Sequence, residues 1–307
     1  MIGHVRSFPS RAPERSQRST GHAWGVVLAG NDGPVVEFGR GTGRRARRER
    51  RAVGADGRTG LRRTLERAAV LLAAEQMIAV FSRDNAGGYR RELLDMPGVH
   101  HVVQPRYRGS AVEVFLPLLK IGRVDPEAIV AVLPADHLDG HDGRAIESIG
   151  KAITAVALRP DLPLLVGAHP RRPNPTYGWV EPGAPVDGLE SFAVRSVKRF
   201  VHDRAVSTHR WLAPSGGLLS AVAVVGHVGT LLDLGRRHLP DVLEALEPSE
   251  HASGSVEERL LCDAIYESIP YASLARELLE RGDHFGVLPL PEARWREYGT
   301  DVELLAS

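Results

Sequence analysis

Five apolar residues, Ile129-Val130-Ala131-Val132-Leu133, run without a break into Pro134-Ala135-Asp136-His137. The length and β-branching of the run are those of a strand buried on both faces, the strand type of parallel sheets covered by helices. In open α/β sheets, ligands bind outside the carboxyl ends of the strands. A strand that stops at a proline and then offers a carboxylate therefore puts Asp136 and His137 where a bound group would stand. The alternative, open at this point, is a pair of polar residues that merely carry the chain from strand to loop.

The segments around this run repeat the pattern. Trp24 to Ala29 reads as a short apolar strand, followed by the turn Gly30-Asn31-Asp32-Gly33. Leu61 to Ala74 reads as a helix, Met77 to Phe81 as a strand, and Gly88 to Leu94 as a helix closed by Pro97-Gly98. His101 to Val103 is a further strand. Gly109 to Leu119 is a helix with Ala111, Val112, Phe115, Leu118 and Leu119 along one stripe. Beyond Asp136, Gly143 to Leu158 reads as a helix and Leu164 to Val166 as a strand. Strands and helices alternating in this order predict an α/β fold built on a doubly wound, mostly parallel sheet. The second half is richer in strands, at Tyr177 to Glu181, Ser191 to Val201, Leu218 to Val225 and Val287 to Leu290, with helices at Val256 to Ile269 and Ser273 to Glu280. It reads as a strand-rich part inserted into the same fold. Residues 1–20 are expected to be a disordered basic tail, and residues 21–307 a single domain.

Composition removes several classes. No apolar stretch spans a bilayer, because the longest, Ala68 to Phe81, is broken by Glu75 and Gln76. The arginines near the N-terminus are not followed by the apolar core of a secretory signal. A single cysteine, Cys262, excludes an internal disulfide and a multi-cysteine zinc site and fits a reducing cytoplasm. Residues 1–51 hold 11 arginines against 4 acidic residues. Without interleaved aromatic side chains, that excess reads as a solvated charge run rather than a surface for stacking bases. Nucleic acid and membrane are therefore not expected as partners. Only three lysines occur, Lys120, Lys151 and Lys198, so any mechanism that needs an ammonium group has three candidates. The first turn lacks the Gly-x-Gly-x-x-Gly of a dinucleotide site, and Ser215-Gly216-Gly217 lacks the context of an esterase nucleophile.

Six segments, taken in order, resemble the sugar-1-phosphate nucleotidyltransferases, and among them the mannose-1-phosphate guanylyltransferases. Trp24-Gly25-Val26-Val27-Leu28-Ala29-Gly30 is similar to the opening strand and the start of the nucleotide loop. Gln104-Pro105-Arg106-Tyr107-Arg108-Gly109-Ser110-Ala111 resembles the segment before the helix that lines the base pocket, and Leu133-Pro134-Ala135-Asp136-His137 the metal-binding loop. Tyr177-Gly178-Trp179-Val180-Glu181 looks like the sugar-binding strand. Val197-Lys198-Arg199-Phe200 looks like the strand before the family's Glu-Lys-Pro element, and Trp295-Arg296-Glu297-Tyr298-Gly299 like its final Trp-x-Asp-x-Gly.

The resemblance implies an enzyme that joins a nucleoside triphosphate to a sugar 1-phosphate and releases pyrophosphate. Its substrates would be GTP or another NTP and mannose 1-phosphate or a related sugar phosphate, with GDP-mannose the first product to consider. It implies nucleotide contacts from Ala29, Gly30, Gly33, Arg108, Ser110, Pro134 and Ala135, and sugar contacts from Tyr177, Gly178 and Glu181. Asp136 and Glu297 would hold Mg2+, an ion that takes one or two carboxylates plus phosphate oxygens. Asp136 and Arg204 would be the catalytic residues. Trp179 stands open between packing on a sugar and ordinary core. Where the family has its catalytic arginine this chain has Val35, and where a lysine should follow Phe200 it reads Val201-His202-Asp203-Arg204. Those departures keep a second reading open, a catalytically impaired relative that binds nucleotide or nucleotide-sugar as a sensor or scaffold. A cytoplasmic protein is expected, and a homodimer is left open.

Overall fold

The computed structural model describes residues 21–30, 58–135, 143–169, 178–202, 212–213, 215–249, 256–282 and 284–290. The strands are β1 (Ala23–Leu28), β2 (Met77–Ser82), β3 (His100–Gln104), β4 (Ile129–Pro134), β5 (Leu164–Ala168), β6 (Gly178–Pro185), β7 (Arg195–Val201), β8 (Leu218–His227) and β9 (Gly286–Pro289). The α-helices are α1 (Gly60–Ala68), α2 (Ala86–Leu93), α3 (Ser110–Val124), α4 (Arg144–Leu158), α5 (Val228–His238), α6 (Pro240–Leu246) and α7 (Val256–Ser268). Leu274–Leu279 winds as π-helix where the sequence pattern suggests an ordinary helix.

Among the described residues, the strands form one nine-stranded sheet in the order β3-β2-β1-β4-β8-β5-β9-β7-β6. Alternation explains why their sequences are apolar throughout. Trp24 and Val26 of β1, Ile78 and Val80 of β2, and Val130 and Val132 of β4 pack on one side with α3 and α5. The intervening Ala23 and Val27, Met77 and Ala79, and Ala131 and Leu133 pack on the other side with α1 and α4. A strand with helices on both faces has no solvent-facing residues to be polar. Helix α1 begins at Thr59, whose hydroxyl accepts from the Arg62 N–H at 3.2 Å, and it buries Leu61, Leu65 and Ala68 at helical spacing.

The doubly wound α/β architecture is as expected, and the sheet is mixed. β1 pairs in parallel with β2 and β4, and β2 with β3. β8 runs antiparallel to both β4 and β5. The strand-rich part closes on itself: β6 bonds β7 and also the first residues of β8, so the ladder β8-β5-β9-β7-β6 returns to β8.

Candidate functional site

One flank of β8 is shared by two strands. Residues Ile129 to Val132 of β4 pair with His227 to Val224, and Gly178 to Val180 of β6 pair with Ser220 to Leu218. Both strands run antiparallel to β8, so they lie end to end, with β6 beginning where β4 stops. About 13 Å of β8 separates the two registers at ordinary strand rise. The topology therefore brings Pro134 and Ala135 to the same sheet edge as Gly178. Gly178 lies against the Phe200 ring, where a β-carbon would stand 2.8 Å from Cε1.

The end of β1 completes this edge. Leu28 pairs with Pro134 on one side and with Val80 on the other. The Ala29 N–H donates to the Val80 carbonyl at 2.7 Å, and the Ala135 N–H donates to the Leu28 carbonyl at 2.9 Å, which continues the ladder past a proline that has no N–H to give. The Thr64 hydroxyl of α1 donates to the Ala135 carbonyl at 3.1 Å and fixes the turn from below. Ala29, Gly30, Pro134, Ala135 and Gly178 are thus brought together at the carboxyl edge, where open α/β sheets bind ligands.

Ser110 starts α3 at that edge, and its hydroxyl accepts from the Leu274 N–H of the π-helix at 3.0 Å. Gly109, with φ of 101°, holds the left-handed region that a side chain rarely adopts, and its Cα faces the Ala272 backbone. The Ala272 N–H donates to Arg108 O at 3.0 Å, and the Ala111 N–H donates to Ala272 O at 3.1 Å. Arg108 reaches across to α7. Its guanidinium donates to the Tyr266 carbonyl at 2.7 Å and the Glu267 carbonyl at 3.1 Å, closing the last turn of α7.

Glu181 sits on β6 opposite Arg199. Its carboxylate accepts from Lys198 Nζ at 2.6 Å and from Arg199 Nη2 at 2.9 Å. The Lys198 hydrogen bond, opposed by burial and joined by the Arg199 hydrogen bond, holds the Glu181 carboxyl below its usual range. Trp179 is 1 % exposed and packs with Leu212 and Leu219, so of its two readings the core one holds. Of the lysines, Lys151 pairs with Glu147 on α4, and Lys120 is buried on α3, about 15 Å along the helix axis from Ser110. Of the three, only Lys198 lies beside β6.

Two polar side chains at this edge carry no role in the sequence reading. Gln104, at the end of β3, is 1 % exposed, and neither of its amide atoms has a hydrogen-bond partner among the described residues. Glu113, in the first turn of α3, is 2 % exposed and packs against Gly30. Burial, the Cys262 thiol and the Glu113 carboxylate all push the nearby Tyr266 phenol up. The signal available in the sequence was a single acid in the first turn of an otherwise apolar helix.

Asp136, Arg204, Gly33, Tyr177, Glu297 and the tail 1–20 lie outside the described residues. Among the described residues no cluster of three or more His, Cys, Asp or Glu is placed to hold a metal, and no helix is long and apolar enough to cross a membrane.

No family model matches the chain. Over 210 residues it is 26% identical to the alginate biosynthesis protein AlgA of Pseudomonas fluorescens, covering 67% of this chain and 42% of that protein. Over 245 residues it is 24% identical to AlgA of Pseudomonas syringae pv. tomato, covering 78% and 50%. The chain thus spans half or less of the curated relatives it matches. Among solved structures, mannose-1-phosphate geranyltransferase from Thermus thermophilus superposes with a TM-score of 0.72 at 23% identity, over 90% of this chain and 76% of that one. Mannose-6-phosphate isomerase from Helicobacter pylori superposes with a TM-score of 0.68 at 16% identity, over 90% and 100%. The chain is a distant sequence relative of the AlgA proteins and has the fold of the sugar-phosphate nucleotidyltransferases.

Proposed function

We propose that this protein transfers a nucleotidyl group from a nucleoside triphosphate to a sugar 1-phosphate, with GTP and mannose 1-phosphate as substrates and GDP-mannose and pyrophosphate as products. The observation that carries this reading is the end-to-end placement of β4 and β6 on β8 beside the end of β1. It gives one sheet edge both the nucleotide-side segments and the start of the strand that resembles the family's sugar strand.

In the reaction, a phosphate oxygen of the sugar phosphate attacks the α-phosphorus, and the bond from that phosphorus to the bridging oxygen of pyrophosphate breaks. Both reactants are anions, so alignment and charge neutralisation carry most of the rate. The backbone of Ala29 and Gly30 borders the nucleotide, and the Gly109–Ser110 turn, pinned to Ala272 and Leu274, fixes the entry of α3. Glu181 accepts hydrogen bonds from sugar hydroxyls while Lys198 and Arg199 hold its carboxylate in place. Asp136 and Glu297 are the proposed ligands of a Mg2+, which supplies neutralisation of phosphate charge when bound. Tyr177 is proposed to contact the sugar, Gly33 the nucleotide, and Arg204 to supply a cation. A homodimer in the cytoplasm belongs to the same proposal, as does a single domain over residues 21–307.

A second reading, a binder without turnover, is favoured by a specific observation. Two cations beside the edge already have structural tasks, Arg108 on the α7 carbonyls and Lys198 on Glu181. Pyrophosphate release from GTP, mannose 1-phosphate and magnesium decides between the two, with Asp136→Asn as control. Release that needs both substrates and Asp136 supports the enzyme. Silence, with GTP or GDP-mannose still raising the melting temperature, supports the binder.

A further inference from the structure

The exit of β7 is held by a residue from another element. Val201 pairs with Trp179 at the end of the ladder, so one step further His202 stands opposite Gly178, where β6 begins. An N–H left over at a strand end needs an acceptor. The His202 backbone N–H finds one in the Glu280 carboxylate, donating to Oε1 at 2.5 Å.

Glu280 follows directly on the π-helix Leu274–Leu279, and that element is firmly seated. Leu278 and Leu279 are buried in the core. Leu274 and Leu278 border a small apolar cavity together with Val132 of β4 and Val224 of β8, so the π-helix lies over these two strands just short of Pro134. The Glu280 N–H donates to Ala275 O at 2.9 Å and the Gly282 N–H to Leu278 O at 2.8 Å, which fixes the backbone from which the carboxylate springs. At the other end of the π-helix, the Leu274 N–H is the one bonded to the Ser110 hydroxyl. One short element thus bonds the turn that opens α3 and the exit of β7. π winding is rare and recurs at functional sites.

We infer that Glu280 is a positioning residue for the sugar end of the site. Its carboxylate fixes the exit of β7, and through the pairing of β7 with β6 it fixes Gly178 beside Pro134 and Ala135. The inference rests on the sugar-phosphate site proposed above. Glu280 touches no substrate in this role. A hydrogen bond to an ionised acceptor is the stronger kind, which suits a bond that must hold a strand end in place. Gly178 has no side chain of its own to lock it, so its place depends on its neighbours. A reaction that relies on alignment loses heavily when a binding group moves by about 1 Å.

The test is equilibrium binding of GDP-mannose and GDP to the full chain, to Glu280→Ala and to Glu280→Gln, with the melting temperature as a check on folding. GDP alone reads the nucleotide end, so the ratio of the two affinities reads the sugar end. The wild type is expected to bind GDP-mannose about tenfold tighter than GDP, the worth of one or two hydrogen bonds to the sugar. Glu280→Ala is expected to shrink that ratio to within about threefold, while its GDP affinity changes by less than about twofold. Glu280→Gln, whose amide oxygen still accepts from the His202 N–H, is expected to keep most of the ratio. An unchanged ratio in Glu280→Ala overturns the inference, and so does an equal loss for GDP and GDP-mannose. A Glu280→Gln variant as impaired as Glu280→Ala overturns it too, because the effect would then belong to the charge and not to the bond. If the wild type binds GDP and GDP-mannose equally, the inference falls while the nucleotide end of the proposed site stands. If it binds neither, the nucleotidyl-transfer reading fails and the inference with it. Should Glu280→Ala not fold, Glu280→Asp, one methylene too short for the bond, decides the matter by the same ratio.

Discussion

Acid should destabilise this protein through one histidine, and the size of the effect can be worked out. His101 on β3 stacks on the Phe81 ring, with centroids 5.8 Å apart and planes 7° from parallel. Its Nδ1 is buried with no hydrogen-bond partner among the described residues. Burial, then the Arg90 and His100 charges, lower its pKa from 6.5 to about 4. A base whose folded pKa lies below its unfolded value binds fewer protons in the native state. Stability therefore falls as pH drops below the unfolded value and levels off below the folded one. The shift corresponds to about 3 kcal/mol in full, of which about 2 kcal/mol is lost by about pH 5. That is a substantial part of the 5–15 kcal/mol, roughly, that holds a typical domain folded. His101→Phe keeps a flat ring against Phe81 and removes the titration. Urea denaturation of both proteins at about pH 7.5, 6 and 5 isolates this group, because every other acid-titrating residue is common to the pair. The two should be similar at the highest pH, with the variant gaining up to about 1 kcal/mol from losing a buried polar atom. By about pH 5 the wild type should fall behind by about 2 kcal/mol. Parallel pH curves would refute the reasoning, since they would mean that His101 takes up its proton in the fold without cost.

Three further substitutions probe the edge. Gly109→Ala places a side chain at φ of 101° against the Ala272 backbone and should cost about 2–4 kcal/mol in urea denaturation, combining backbone strain with the loss of about two hydrogen bonds; a loss under about 0.5 kcal/mol would show that the turn is not pinned. Gly178→Ala drives a methyl into the Phe200 ring and should lower stability by about 1–3 kcal/mol. Phe200→Leu in the same chain should recover part of that loss, and no recovery would place the strain elsewhere. Glu181→Gln removes partners of the largely exposed Lys198 and Arg199, so its stability should change by less than about 1 kcal/mol, while the KM for the sugar phosphate should rise about tenfold or more if the carboxylate binds the sugar; an unchanged KM would take Glu181 out of the sugar site.

Much of the fold was legible because its strands are buried on both faces. The runs at 24–29, 77–81 and 129–133 are continuous, and helical patterns come between and after them, so alternation and a parallel half-sheet follow. The direction of β8 was not legible. Its sequence is apolar like that of a parallel strand, and only the pairing of Val224 with both Val132 and Leu165 shows that it reverses. Helix α1 was read on to Ala74 because Val70-Leu71-Leu72 continues the apolar pattern. It ends at Ala68, and Val70 is one of the most exposed apolar side chains. At Leu274–Leu279 six residues are too few for hydrophobic spacing to separate a π-helix from an α-helix.

The site was legible as segments but not as contacts, and Gly30 shows why. From sequence, its glycine suggests a backbone that must approach phosphate, a reason that lies within the loop itself. In the fold there is a second reason, 83 positions away in the chain. Glu113 needs the space that a β-carbon would take. Periodicity along α3 assigns that glutamate to the ordinary class of acids near a helix N-terminus, where the dipole favours them. Nothing local distinguishes an acid facing solvent from one facing a strand end. Arg108 shows the converse. Its place in a motif suggests a cation for the nucleotide, and the two α7 carbonyls that occupy it are more than 150 residues away. Gly30→Ala separates the two reasons for that glycine. If phosphate approach is the reason, the variant should weaken GTP binding and leave the urea midpoint unchanged. If room for Glu113 is the reason, the urea midpoint should fall by an amount worth about 1–3 kcal/mol, because the displaced carboxylate has no space in the core.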